Sequence, residues 1–139
     1  MLRLSKKIEY ALVAMQYITA NSSKIVPAKE ISENTHISFE FLAKTLQKLM
    51  KSGLIVSVHG VNGGYKLGKK ADNITIADII LALEGKTSIV DCFVDNKLLC
   101  TRISNCTIKS PMKMLQKKID TVFHTTTIAE ISHVKTQMI

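Results

Sequence analysis

Residues 27–67 read PAKEISENTHISFEFLAKTLQKLMKSGLIVSVHGVNGGYKL, and this stretch decides the fold. Pro27 suits the first turn of a short helix over roughly 27–34, whose apolar contribution is mainly Ala28 and Ile31. Thr35-His36-Ile37 follows as a brief turn. Ser38 then caps a third helix running to about Lys51. Leu42, Leu46 and Leu49 form its inner stripe at three- and four-residue steps, with Met50 alongside. Glu40, Lys44, Gln47, Lys48 and Lys51 fall largely off that stripe, and Gly53 can take the left-handed conformation that closes the helix. Leu54–Val58 reads as a strand, His59–Gly64 as turn chemistry and Tyr65–Leu67 as the returning strand. Short helix, turn, capped helix with a basic outer face, then a glycine-rich hairpin: this is winged helix-turn-helix organisation, which binds double-stranded DNA. Lys66, Lys69 and Lys70 keep the hairpin basic, and its glycines would let backbone amides approach a phosphate.

The flanks extend the pattern. Ser5 to about Asn21 is an amphipathic helix with Ile8, Leu12, Met15 and Ile18 on one side, Ala11 and Ala14 beside them, and Ser5 as N-cap. Asn73-Ile74-Thr75-Ile76 leads into a helix ending near Glu84-Gly85, with Ile76, Ile79, Ile80 and Leu83 on one face. Residues 86–110 show no sustained periodicity and hold every cysteine. Pro111 opens a last helix from Met112 to about His124, with Met114 or Leu115, Ile119 and Val122-Phe123 as its apolar set; Ile128 and Ile131 extend the apolar surface. The expected fold is mainly α with a small β-hairpin wing. It comprises a winged helix-turn-helix DNA-binding domain over 1–84, a cysteine-bearing loop over 85–110, and a long C-terminal dimerisation helix with a tail over 111–139. The last helix has little partner surface within the chain, so pairing with a second copy would bury it, and a dimer matches two half-sites of palindromic DNA.

With 46% apolar and 22% charged residues among 139, the chain can bury a core and is not a disordered tail. No apolar run reaches membrane-spanning length, and Met1–Lys7 lacks the features of a signal peptide. The expectation is a cytoplasmic protein with reduced thiols and no membrane partner. The net charge of +8 is placed unevenly: residues 1–70 carry eleven Lys/Arg against four acids, residues 71–139 eight against seven. A basic half joined to a neutral half points to a polyanionic partner at one end, with a solvated lysine-rich surface as the plainer reading. No nucleophile–base arrangement or nucleotide loop is visible, so an enzyme is not expected.

Cys92, Cys100 and Cys106 give the spacing C-x7-C-x5-C within one loop. Three buried structural thiols, a disulfide switch and a metal site compete at this point. A polar loop is poor core material, and three is an odd number for a switch. Zinc usually shows paired C-x2-4-C knuckles, which are absent, whereas widely spaced thiolates in a flexible loop can wrap an iron–sulfur cluster, usually with a fourth ligand.

Leu2-Arg3-Leu4-Ser5, Ile31-Ser32-Glu33 followed by Ile37-Ser38, Gly53-Leu54-Ile55, Gly63-Gly64-Tyr65-Lys66-Leu67 and Ile74–Ile80 together resemble the Rrf family of bacterial winged-helix regulators. The resemblance runs in order over nearly the whole chain. It implies a homodimeric transcription regulator held together by a long crossing helix, with a cluster loop whose occupancy changes DNA affinity. By position it makes Ser38, Phe39, Phe41, Lys44 and Lys48 groove-facing candidates, and His59, Asn62, Gly63 and Tyr65 wing candidates. Arg3, Ser5 and Lys6 would lie near phosphates. Cys92, Cys100 and Cys106 become the metal ligands. Two departures stand out. IscR-like members often have arginine where this chain has His59, a residue charged only part of the time near neutral pH. They also ligate their cluster through a histidine at the position of Lys109, a poor ligand. NsrR-like members complete the cluster with a first-helix carboxylate from the partner subunit, which here is Glu9; the plainer reading of Glu9 is a solvated residue favoured by the helix dipole. RirA-like members share the x7, x5 spacing, which favours a 4Fe-4S over a 2Fe-2S cluster. The same fold also serves, in CymR-like members, regulators working by thiol chemistry or through a protein partner.

Overall fold

The computed structural model describes residues 2–86, 88–90, 92, 101–102 and 104–134. Six helices and one hairpin follow each other in the order α1 (Lys6–Ala20), α2 (Ala28–Thr35), α3 (Phe39–Lys51), β1 (Ile55–Val58), β2 (Gly64–Leu67), α4 (Ile76–Glu84), α5 (Lys109–Thr125) and α6 (Ile128–Val134), with a 3-10 turn at Ala71–Asn73. The fold is mainly α with a two-stranded wing, as the periodicities require. Among the described residues no helix is long and apolar enough to cross a membrane.

Local signals set the boundaries of each element. The Ser5 side chain accepts the Ile8 N–H at the start of α1, and Ser38 accepts the Phe41 N–H at the start of α3. His36 ends α2 in the left-handed region (φ 59°), a conformation in which histidine is enriched among non-glycine residues. The Ser32 hydroxyl then donates to the Ile37 carbonyl (2.6 Å), which holds the turn between α2 and α3. Past α3, Gly53 (φ 81°) donates to the Met50 carbonyl (3.0 Å) and Leu54 to the Leu49 carbonyl (3.1 Å), the paired bonds of a Schellman motif. Leu54 is buried, so the motif turns the chain straight into the hairpin.

In the hairpin Ile55 faces Leu67, Val56 faces Lys66, Ser57 faces Tyr65 and Val58 faces Gly64. Val26 adds a third short rung, exchanging two 2.8 Å backbone bonds with Tyr65. That close approach excludes a side chain at Gly64, where a Cβ would lie 2.5 Å from the Val26 carbonyl oxygen and 2.7 Å from the Pro27 nitrogen. The glycine is thus explained by backbone packing within the chain.

The core is one cluster. Ile8, Met15 and Ile18 of α1, Ile31 of α2, Leu42, Leu46 and Leu49 of α3, Ile55, and Ile79 of α4 are all buried in it. Two features differ from expectation. Helix α5 begins at Lys109, two residues before Pro111, because proline is accepted in a first turn whose N–H groups have no intrahelical partner. It is also not the last helix. Thr127 and Glu130 cap each other's backbone N–H groups to start α6 (3.2 and 3.4 Å), and Ile128 is fully buried in the core. Ile128 donates to the Ile74 carbonyl (2.8 Å) and Gln16 to the Ile131 carbonyl (3.2 Å), so the chain returns to the N-terminal helices after α5.

Candidate functional site

Helix α3 presents its buried side to α1 and α4 and leaves Phe39, Glu40, Lys44, Gln47, Lys48 and Lys51 exposed. Among the described residues, no carboxylate pairs with Lys44, Lys48 or Lys51, nor with Lys66, Lys69 or Lys70 of the wing side. Three other lysines are so paired: Lys6 with Glu9 (2.7 Å), Lys24 with Glu30 (2.9 Å) and Lys29 with Glu33 (4.0 Å). Most of the positive charge left free in the N-terminal half therefore lies on α3 and on or just after the hairpin, with Arg3 and Lys7 apart from it. The Schellman turn places these two elements side by side.

The structure divides the candidate DNA-contacting residues by occupation. Phe39, Lys44, Lys48, His59 and Asn62 are exposed, and Arg3 is exposed ahead of α1. Phe41 is half-buried and meets Tyr10 edge-on, with ring centroids 5.2 Å apart at 89°; Tyr65 is half-buried against the core. Both aromatic rings therefore pack, as does the backbone at Gly63, where a Cβ would collide with the Val58 carbonyl. Ser5 is occupied by its capping bond and by a hydrogen bond donated to Glu84, and Lys6 by Glu9, whose hydrogen bond raises the lysine's pKa. Sequence reading passed over Val61. It stands fully exposed at the hairpin tip between Gly60 (φ 121°) and Asn62, and an apolar residue inside turn chemistry is the signal that marks it.

Cys92 and Cys106 are half-exposed free thiols at the two ends of the cysteine segment. Cys100 lies outside the described residues. Thiols accessible in this way suit iron–sulfur ligation by their chemistry. Among the described residues, however, no three His, Cys, Asp or Glu side chains are gathered closely enough to hold a metal ion. Glu9 is partly exposed on the first turn of α1, and Lys109 opens α5.

Helix α5 carries exposed apolar residues among its lysines. Helix α5 has 17 residues and none is buried. Ile119 and Phe123 line a crevice against α4 and the start of α1. On another face Ile108, Leu115 and Val122 recur every seven residues and stay exposed, with Met114 at 60% exposure beside them.

A sequence profile described as Rrf2, iron-dependent transcriptional regulator, matches residues 4–133. The chain belongs to the Rrf2 family. The HTH-type transcriptional regulator IscR of Vibrio atlanticus is 30% identical over 131 residues, covering 94% of this chain and 75% of that protein. CymR, the global cysteine regulator of Bacillus subtilis, superposes with a TM-score of 0.78 at 26% identity, covering 96% of this chain and 98% of that one. IscR of T. potens superposes with a TM-score of 0.77 at 28% identity, covering 99% and 93%. This Rrf2 protein is accordingly a transcriptional regulator with a winged-helix fold, and its relatives are regulators rather than enzymes. Transcriptional regulators of this family bind DNA.

Proposed function

We propose that this Rrf2 protein is a homodimeric regulator whose affinity for a palindromic operator is set by an iron–sulfur cluster in the cysteine segment. The unpaired lysines on the exposed face of α3 and on the adjoining hairpin carry the DNA-binding geometry. In this reading Phe39, Lys44 and Lys48 enter the major groove, with Ser38 and Phe41 framing the start of α3. His59, Val61 and Asn62 reach the minor groove or backbone at the wing, supported by Gly63 and Tyr65, and Arg3, Ser5 and Lys6 sit near phosphates. The exposed stripe Ile108, Leu115, Val122 is the surface on which the second copy packs. Residues 1–84 form the DNA-binding unit, 85–110 the sensing segment and 111–139 the dimerising segment, with α6 folded back onto the first.

Cys92, Cys100 and Cys106 of one subunit, with Glu9 of its partner, would hold the cluster, of the 4Fe-4S type by resemblance to RirA-like members that share the thiol spacing. Bound there, the group would supply a site sensitive to iron supply, nitric oxide or oxidants. The protein's own part is mechanical: repositioning two recognition helices that must match half-sites about 34–36 Å apart. Likeness to CymR and the accessibility of Cys92 and Cys106 favour a second reading, regulation by thiol chemistry or a protein partner. Anaerobic purification followed by a visible spectrum and iron analysis separates the two. A coloured, iron-containing protein that loses cluster content in the Cys92→Ala and Glu9→Ala variants is expected. A colourless, iron-free preparation after gentle handling would transfer the function to the thiols. DNA binding without steep salt dependence would remove the lysine face from the argument.

A further inference from the structure

Gln116 lies on the side of α5 that carries Ile119 and Phe123 and lines the crevice with them. Its side-chain oxygen accepts the Ser88 hydroxyl (3.2 Å) and the Ile89 backbone N–H (2.8 Å), while its nitrogen donates to Asp120 Oδ1 (2.8 Å). One planar amide thus ties α5 to the chain three and four residues ahead of Cys92, across a separation of 27 and 28 residues. Gln116, Ser88 and Ile89 also line a crevice of about 410 Å³ with Arg3, Ser5 and Glu84, and the Ser5 hydroxyl donates to Glu84. The entry to the cysteine segment, α5 and the arm bearing Arg3 meet in this crevice.

We infer that Gln116 is the positioning residue through which the state of the cysteine segment reaches α5 and the N-terminal arm, an inference that rests on the proposed control of DNA affinity by that segment. Three residues of chain span at most about 10 Å, so moving Cys92 to new partners pulls directly on Ile89. The Ile89 N–H and Ser88 hydroxyl lie half-buried and lose their protein acceptor if they leave Gln116, so the tie resists displacement. The requirement for glutamine is chemical. Leucine offers neither acceptor nor donor, and glutamate accepts but sets a second negative charge one turn from Asp120. Exchanging the roles, with glutamate at 116 and asparagine at 120, restores every bond.

The test uses the full chain, apo and after anaerobic reconstitution with ferrous iron and sulfide. Two quantities are read: amide exchange at Ile89 in the apo protein, and the ratio of affinities of the two forms for the duplex that wild-type protein selects from a random-sequence pool. In Gln116→Leu, Ile89 exchange should rise about tenfold, the protection of one hydrogen bond, and in Gln116→Glu, which keeps an acceptor but repels Asp120, it should rise by less. The affinity ratio should fall toward one. Gln116→Glu/Asp120→Asn should restore both, and it also serves if Gln116→Leu does not fold. Unchanged Ile89 exchange, an unchanged ratio with faster exchange, or a double variant that rescues stability alone would each overturn the inference. A ratio of one in the wild type itself would instead end the proposed function, and this inference with it.

Discussion

Helix α3 buries Leu42, Thr45, Leu46 and Leu49 along one face, whereas α5, four residues longer, buries none of its side chains. The two helices show similar signals in the sequence, an apolar stripe at helical spacing and basic residues beside it. They differ in what the rest of the chain offers them. Around α3 the stripes of α1, α2 and α4 converge, and the core closes. Among the described residues α5 packs on one neighbouring stripe, on α4 and the start of α1, and its second apolar face is exposed. Burial of apolar area is the main favourable contribution to folding. Helix α3 thus draws its stability from its own chain, and the second copy proposed above is what would cover the open face of α5.

The largest effect that sharpens this contrast is at Leu46, which is completely buried. Leu46→Ala should cost about 2–5 kcal/mol, the range for cavities at such positions, measured by urea unfolding. The same truncation at Leu115, 42% exposed, should cost well under half as much when unfolding is followed on dilute protein. Equal losses would break the contrast.

Next comes self-association. Val122→Glu places a charge in the open stripe and should weaken the dimer at least about tenfold, some 1.4 kcal/mol, seen by sedimentation at micromolar concentration. Thr121→Glu, exposed one position away, should leave association nearly unchanged. If both variants sediment as the wild type does, α5 is not the joining surface.

Legibility followed locality. The boundaries of α3 could be read because Ser38, the leucine stripe and Gly53 act within a few residues of where they stand, and the structure places them within one residue of expectation. Helix α6 escaped because its stabilising partners, Ile74 and Gln16, are far away in sequence. Its signal was nonetheless present: Thr127-Ile128-Ala129-Glu130 repeats the capping pattern of Thr75-Ile76-Ala77-Asp78, where both reciprocal bonds form as well. Phe41 and Tyr65 show the opposite limit. An aromatic residue at a helix start or strand edge fits either a groove or a core, and the sequence does not show that Phe41 meets Tyr10 or that Tyr65 pairs with Val26. The cysteines stand out in the sequence as candidate ligands by residue type. Which ones meet depends on chain geometry that spacing alone does not contain.

A smaller effect separates the two basic surfaces. Lys44 on α3 and Lys117 on α5 are both exposed lysines. Lys44→Ala should weaken DNA binding across all sequences and lower the slope of log affinity against log salt by about one, the loss of one phosphate contact. Lys117→Ala should leave the slope unaltered. A matching drop for both would mean that charge, and not position, attracts the DNA.

The smallest effect concerns a charged tie between α1 and α2. Glu30 of α2 accepts hydrogen bonds from Lys24 (2.9 Å) and from the Tyr17 hydroxyl of α1 (2.9 Å). The Lys24 bond, and then the Tyr17 bond, hold the Glu30 carboxyl below its usual range, while Glu30 in turn raises the pKa values of Lys24 and Tyr17. A lowered carboxylate stabilises the fold above its unfolded value, about 4.3, and that contribution disappears as pH falls through the lower folded value. The raised lysine and tyrosine contribute below their unfolded values near 10 and lose that contribution as pH climbs past the folded ones. The tie between α1 and α2 is therefore complete from about pH 5 to 9 and weakens at both ends. Glu30→Gln keeps an acceptor for Tyr17 but removes the charge. Its urea midpoint should lie slightly below that of the wild type at pH 7, and the gap should narrow as pH falls from about 4 through the lowered folded value. A gap that does not narrow at all on acidification would show that the glutamate acts by packing, and that the tie between α1 and α2 owes nothing to this charge.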